Sequence, residues 1–350
     1  MRGKTDHCIP SLSSLLFSFF LANYNNPLTT THIMNLITGL HHVTAITGNA
    51  QENIDFYTGV LGLRLVKKTV NFDYSDVYHF YFGDEYGTPG TIMTTFPYGK
   101  DLINGRHGKG MLNTTAFSVS MNALDYWINR LDQFNIAYKQ PQQRLSGEVF
   151  IYLEDFDGLG LELVFNDKDD RKGYYNGYIP KDYALKGIHH VEIWQDAYER
   201  TAALLTTQMD HKVISESPDR LRLGTENLPG KYVDLLSTPN ALKGLAGRGT
   251  VHHVAFATPD TQTQLEMVER LNAFGLEHTE VKDRKYFTSV YFKEPGGVLF
   301  EIATSGPGFD VDEEAAFLGE NLQLPQQFEK RRERLLDVLP IINYPTEKFR

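Results

Sequence analysis

The chain has 350 residues, enough for two domains of ordinary size. With 41 % apolar and 22 % charged residues it has the balance of a globular protein, not of a disordered or fibrous one. A net charge of −10 without a basic cluster argues against nucleic acid as a partner, and the single cysteine, Cys8, excludes an internal disulfide and any paired-cysteine zinc site.

That cysteine usage suits a reducing, cytoplasmic setting. Residues 11–24 (SLSSLLFSFFLANY) are apolar and follow Arg2 and Lys4, in the manner of a weak signal peptide. The stretch is too short and too rich in serine to span a membrane, and no A-x-A site follows it. Met34 stands just before the first predicted strand, so residues 1–36 read as an extension outside the fold.

From Gly39 the chain reads strand (HHVTAIT), helix (50–60), then strands at 63–70, 77–82 and 91–96. Gly62 stops the helix, as a glycine just past a helix end does. This β-α-β-β-β order recurs. The second copy has a strand at 115–121, a helix at 124–134 and strands at 150–153 and 161–165. Its helix carries Leu124, Trp127, Ile128 and Leu131 at i, i+3, i+4 and i+7. A polar linker at 167–186 leads to the third copy, with a strand at 189–194, a helix at 197–208 and a last strand at 232–236. The fourth begins at Val251, with a helix at 263–274 and strands at 289–292 and 298–303. A tail (305–350), acidic at first and helical near 326–338, should pack across the outside without chemistry. The expectation is an α+β fold of four βαβββ modules paired into two domains, 37–166 for modules one and two and 187–304 for modules three and four.

Three leading strands open on a histidine doublet: GLHHVTAIT (39–47), GIHHVEIW (187–194) and TVHHVAFAT (250–258) hold six of the twelve histidines. A fourth stretch, GGVLFEIAT (296–304), supplies Glu301. Two imidazoles and one carboxylate on neighbouring strands form the ligand set of a mononuclear metal site with open positions. Side chains alternate along a strand, so one member of each doublet should face the metal. His252 shares a face with bulky Val254 and Phe256, whereas His253 shares one with Ala255 and Ala257, which leave space for a ligand. Phe300 and Ile302 form the core face of the last strand and place Glu301 opposite. His42 shares its face with Thr44, and His41 with Val43 and Ala45. The pattern leaves two triads open: His190, His253 and Glu301 if modules three and four pair, or His42, His253 and Glu301 if modules one and four pair. A single strand histidine is ordinarily a satisfied core residue; three doublets at equivalent places weaken that reading, and a lone carboxylate between Phe300 and Ile302 needs a partner.

With these residues in place, the chain resembles the vicinal oxygen chelate superfamily of glyoxalases and extradiol dioxygenases, and within it the hydroquinone ring-cleaving dioxygenases. The likeness runs over about residues 40–328 and is carried by LHHVT, GLRLVKKTVNFD, YHFYFGDEYGTPGTIMTTFP, HHVAFA, DRKYF and PGGVLFE. It implies the glyoxalase/bleomycin resistance/dioxygenase fold, with Fe(II), or Mn(II) in its place, on His42, His253 and Glu301. It further implies acid–base or supporting roles for His252, Arg284 and Tyr291, and places His41 and Thr44 on the substrate side. A small aromatic diol and O2 would be the substrates, with neither nucleic acid nor membrane as partner; the reading also allows a homo-oligomer. The doublet His189 and His190 has no role in that pattern and is taken as structural. Three other functions compete. A glyoxalase-type isomerase or lyase needs a fourth protein ligand where the chain has Thr94 and Thr95. A catechol extradiol dioxygenase differs in substrate. A non-catalytic quinone-binding protein has no use for open metal positions.

Overall fold

The computed structural model describes residues 35–344 and Phe349, apart from residues 145 and 176. Residues 1–34 of the expected extension lie outside this range, but Leu36 does not behave as an extension. It is buried, and the N–H groups of Leu36 and Ile37 donate to Asp210 at 2.7 and 3.2 Å.

Each module keeps the expected order. The first consists of β1 (Gly39–Thr47), α1 (Ala50–Ile54), β2 (Arg64–Val70), β3 (Tyr78–Gly83) and β4 (Ile92–Pro97). The second consists of β5 (Met111–Ser120), α2 (Leu124–Gln133), β6 (Gln142–Gln143), β7 (Val149–Glu154) and β8 (Gly160–Asn166). The third has β9 (Gly187–Gln195), α3 (Glu199–Thr207), β10 (Lys212–Glu216), β11 (Arg220–Gly224) and β12 (Tyr232–Ser237). The fourth has β13 (Thr250–Thr258), α4 (Thr261–Phe274), β14 (Lys282–Asp283), β15 (Phe287–Lys293) and β16 (Leu299–Pro307). Local chemistry explains the helix ends. Asn49 caps α1 by accepting the Glu52 N–H at 2.9 Å, and Asp260 with Thr263 forms a capping box on α4. α1 continues as a π-helical segment at Asp55–Val60, and Gly62, with φ +75°, follows its end where the sequence placed the stop.

Two eight-stranded sheets result. One runs β14-β15-β16-β13-β1-β4-β3-β2 and the other β10-β11-β12-β9-β5-β8-β7-β6. The first therefore joins modules one and four, and the second joins modules two and three. Consecutive modules, expected to pair within 37–166 and within 187–304, do not share a sheet. Either grouping covers the free edge of each leading strand, so counting modules does not select between them. Among the described residues, no helix is long and apolar enough to cross a membrane.

The tail does more than wrap the exterior. Its Phe309 and Leu318 join Val66, Tyr81, Ile92, Ala255, Tyr286, Phe287 and Ala303 in one buried apolar cluster. After a 3-10 segment at Gln326–Arg331 comes α5 (Arg332–Val338), whose Leu335 is fully buried. The fastening is ionic: Lys67 of β2 is completely buried, with Nζ 2.7 Å from Asp312 and 2.6 Å from Glu313. Removing the cation takes the ion pair from Glu313 and leaves Asp312 with Lys285, so Lys67→Met should cost roughly 3–5 kcal/mol of stability and lower the thermal midpoint by several degrees. Burial opposes the charge on Asp312, yet Lys285 and Lys67 hold its carboxyl below the ordinary value. A carboxyl with a lower pKa folded than unfolded gives stability that is complete above about pH 4 and fades as the pH falls further. Hydrogen exchange across residues 309–324 should accordingly quicken in acid before the sheets open, and should already be fast at neutral pH in Lys67→Met.

Candidate metal centre

Strand register builds the centre. β1 pairs antiparallel with β13, setting His42 opposite Ala255 and Thr44 opposite His253. β13 pairs in parallel with β16, which puts Ala255 beside Glu301. The small side chain at Ala255 thus separates an imidazole from a carboxylate in adjacent strands, as the alternation argument for HHVAFA requires. His42, His253 and Glu301 form the cluster of potential metal ligands found among the described residues. His190, the other candidate, lies in the second sheet.

The doublets depart from simple alternation. Between Leu40↔Phe256 and His42↔Ala255 the residue His41 has no partner, and between Thr44↔His253 and Ala45↔Val251 the unpaired residue is His252. Each doublet is therefore a β-bulge, which turns the extra ring back toward its neighbour instead of onto the opposite face. His252 accordingly does not pack under the helix with Val254 and Phe256; it is exposed. His41 Nδ1 lies 2.9 Å from His42 Nδ1, and His252 Nδ1 lies 2.7 Å from His253 Nδ1. His41 Nε2 reaches the Thr304 carbonyl at 3.2 Å and must donate to it, since a carbonyl only accepts. Burial, and then the neighbouring His42, lower the His41 pKa to about 3, so its ring is neutral and its Nδ1 accepts from His42. His42 therefore carries its proton on Nδ1 and presents Nε2 as a bare lone pair, the tautomer that metal binding needs.

Three potential ligand atoms converge. His42 Nε2 and His253 Nε2 stand 3.2 Å apart, and Glu301 Oε2 lies 3.3 and 3.0 Å from them. Oε2 is buried and makes no hydrogen bond, while Oε1 accepts from Ser289 Oγ at 2.5 Å. An orphaned anionic oxygen facing two ring nitrogens fits a cation and fits nothing else in reach. Two imidazoles and one carboxylate leave open positions on a metal, unlike a closed four-ligand structural site.

The predicted surroundings assemble in part. Arg284 Nε donates to Tyr291 Oη at 3.2 Å, Arg284 Nη2 pairs with Asp73 at 3.1 Å, and the Tyr291 ring lies 5.6 Å from that of His253. Burial, and then the charge on Glu301, raise the Tyr291 pKa, which keeps its hydroxyl protonated. Thr44 Oγ1 is 2.9 Å from His253 Nε2 and 2.8 Å from Thr94 Oγ1. Thr94 is thus in reach of the site, but it brings a hydroxyl where a fourth carboxylate ligand would be needed. Sequence reasoning missed Ser289, Phe287 and His79. A usable signal existed for the first two: Phe287, Ser289 and Tyr291 alternate onto one face of β15, opposite Glu301.

The second sheet repeats the register with other residues. His190 lies opposite Ala116, Ala116 lies beside Glu162, and Thr114 stands in the place of His253. Asp234 lies beside Glu192, as Thr94 lies beside Thr44. Arginines hold this cluster. Arg222 donates to Asp234 at 2.7 and 2.8 Å, Arg220 to Asp234 and Glu192 at 2.5 Å each, and Arg144 to Glu162 at 2.5 Å.

Comparison with known proteins points the same way as the geometry. Residues 39–163 and 187–302 match the family model of the Glyoxalase/Bleomycin resistance protein/Dioxygenase superfamily. The chain is 40 % identical over 297 residues to "Putative ring-cleaving dioxygenase MhqO" of Bacillus subtilis, a match covering 85 % of this chain and 94 % of that protein. It is 32 % identical over 319 residues to the chlorohydroquinone/hydroquinone 1,2-dioxygenase of Sphingobium indicum, covering 87 % and 98 %. A crystal structure described as a "putative dioxygenase" from Bacillus subtilis superposes with a TM-score of 0.85 at 39 % identity, over 89 % of this chain and 99 % of that one.

Protein stripped with chelator and reloaded with Fe(II) or Mn(II) should take up about one ion per chain at a site of this type. Metal titration should show no binding in His253→Ala or Glu301→Ala and wild-type content in His190→Ala. Ser289→Ala, which frees Oε1, should weaken affinity by about 10- to 100-fold. Retention of metal by Glu301→Ala would contradict this assignment.

Proposed function

This chain belongs to the Glyoxalase/Bleomycin resistance protein/Dioxygenase superfamily, and we propose that within it the protein is an Fe(II)-dependent ring-cleaving dioxygenase acting on a hydroquinone-type diol with O2. The observation that carries the reading is the convergence of two imidazole nitrogens and one orphaned carboxylate oxygen, the ligand set of a facial triad, in a chain so similar to named ring-cleaving dioxygenases. His42, His253 and Glu301 would hold the metal. Fe(II) bound there supplies the redox partner that O2 needs and acidifies a hydroxyl bound to it; Mn(II) fits the same ligands.

The protein's own residues do the rest. The ring of Phe287 lies 4.9 Å from His41 and 5.3 Å from His42, an aromatic wall suited to a flat substrate. Arg284 donates to Tyr291 Oη and so leaves the tyrosine proton available for donation toward a substrate oxygen. His252 is exposed while bonded to His253, a position from which a proton can pass between site and solvent. His41 anchors the tautomer of His42, and Thr44 lies on the open side of the ligand set.

Anaerobically purified, Fe(II)-loaded protein should consume O2 on addition of hydroquinone or methylhydroquinone. Uptake should vanish in His42→Ala, His253→Ala and Glu301→Ala and fall by about 100-fold in Tyr291→Phe, the usual weight of a general acid. Uptake with catechol alone would move the reading to a catechol enzyme, and no uptake with any diphenol would sink it.

A further inference from the structure

β3 carries a histidine that the ligand set does not use. His79 is 9 % exposed, and its ring centroid lies 4.0 Å from that of Tyr81 and 4.3 Å from that of Phe96. Its Nε2 is 2.9 Å from Thr94 Oγ1, which is 2.8 Å from Thr44 Oγ1, which in turn is 2.9 Å from His253 Nε2. Both hydroxyls are completely buried. A continuous hydrogen-bonded chain therefore runs from β3 through β4 and β1 to a metal ligand on β13.

The last member sets its direction. A His253 ring that serves as a metal ligand keeps Nε2 as a lone pair, so Thr44 must donate to it. The Thr44 oxygen then accepts from Thr94, and the Thr94 oxygen accepts from His79 Nε2–H, because each hydroxyl has a single proton to give. Burial holds His79 well below its ordinary pKa, so the ring is neutral and has one N–H, which this chain places on Nε2. When a metal takes up the His253 lone pair, Thr44 loses its acceptor. Its O–H stays backed by Thr94 and His79 and is left to donate to whatever acceptor occupies the open side of the site.

We propose that His79 is a positioning residue of the metal centre: through Thr94 it fixes the Thr44 hydroxyl as a donor to an anionic ligand atom bound beside His253. In the dioxygenase reading, on which this identification of the atom rests, that atom is the deprotonated hydroxyl oxygen of the diol. The hydrogen-bond polarity itself does not depend on that reading. It would favour an ionised hydroxyl over an ether oxygen or a carbonyl, because a donor with no acceptor of its own discriminates by charge.

The test uses azide as the anion and the visible absorption of Co(II)-loaded protein as the readout. Thr94→Val breaks the chain at constant shape, and His79→Phe removes the donor while keeping a ring between Tyr81 and Phe96. Each should weaken azide binding by about ten-fold, the loss of one hydrogen bond to an anion. Thr94→Ser, which retains the hydroxyl, should bind azide as the wild type does, and all three variants should hold Co(II) with unchanged stoichiometry. Unchanged azide affinity in both Thr94→Val and His79→Phe overturns the proposal, as does an equal loss in Thr94→Ser. Since azide is not a diol, a protein with this azide pattern and no oxygen uptake would refute the dioxygenase reading and sustain the role of His79.

Discussion

Two ring nitrogens and one carboxylate oxygen, buried and turned toward one point, are the constraint on which this molecule turns. His42 Nε2, His253 Nε2 and Glu301 Oε2 lie within 3.3 Å of each other, and metal binding requires an unprotonated lone pair on each. Such an arrangement is repulsive unless a cation neutralises it, and every surrounding feature serves to maintain it. The bulge at His41 turns a neutral ring to accept the His42 proton, and the Thr304 carbonyl takes the remaining proton of His41. Ser289 ties down the other oxygen of Glu301, so that only one is presented. Left to simple alternation, the first histidine of each doublet would have pointed away and the tautomers of the ligands would have been free to vary.

The second sheet shows what happens when the same register is satisfied differently. Its His190, Glu162 and Asp234 occupy places comparable to ligands and near-ligands in the first, yet Thr114 stands where a second imidazole would be required. Three guanidinium groups supply the positive charge, as fixed forks on carboxylates. His190 Nε2, 3.6 Å from Glu162 and 3.7 Å from Asp234, makes no hydrogen bond, and burial followed by the arginine charges keeps it neutral. A duplicated architecture has thus been stabilised once by residues poised for an exchangeable ion and once by covalently attached cations. Only the first leaves positions open for chemistry.

Much of this was legible in the chain itself. The module order followed from hydrophobic runs and turn residues, and the choice of His253 over His252 followed from the alanines beside it. The choice between His42 and His190 was not legible from local pattern, because the strand that each leading strand joins is decided by contacts between modules far apart in the chain. The bulges were hidden for a related reason: they exist only as a mismatch between two strands, and one strand read alone shows perfect alternation. β10 and β11 escaped because KVISE and RLRLG carry charges where a half-buried strand ordinarily shows apolar side chains; Arg222 is buried against Asp234 of β12, and Arg220 is half-buried against Asp234 and Glu192. His79 gave a weak signal, a lone histidine among aromatics in YHFYF, which by itself reads as packing.

The centre is also the most non-local object in the fold. His42 and His253 are 211 positions apart, and their strands meet only when the first and last modules close one sheet. Closing so long a loop costs chain entropy without local reward, and the apolar cluster completed by Phe309 and Leu318 offsets part of that cost on the same sheet. A cation bound by residues from β1, β13 and β16 can bind only after those strands have met, so its binding free energy adds directly to the stability of the closed sheet. The second sheet needs no such help, since its charges are already paired. A metal bound at His42, His253 and Glu301 would therefore tie the first module to the fourth.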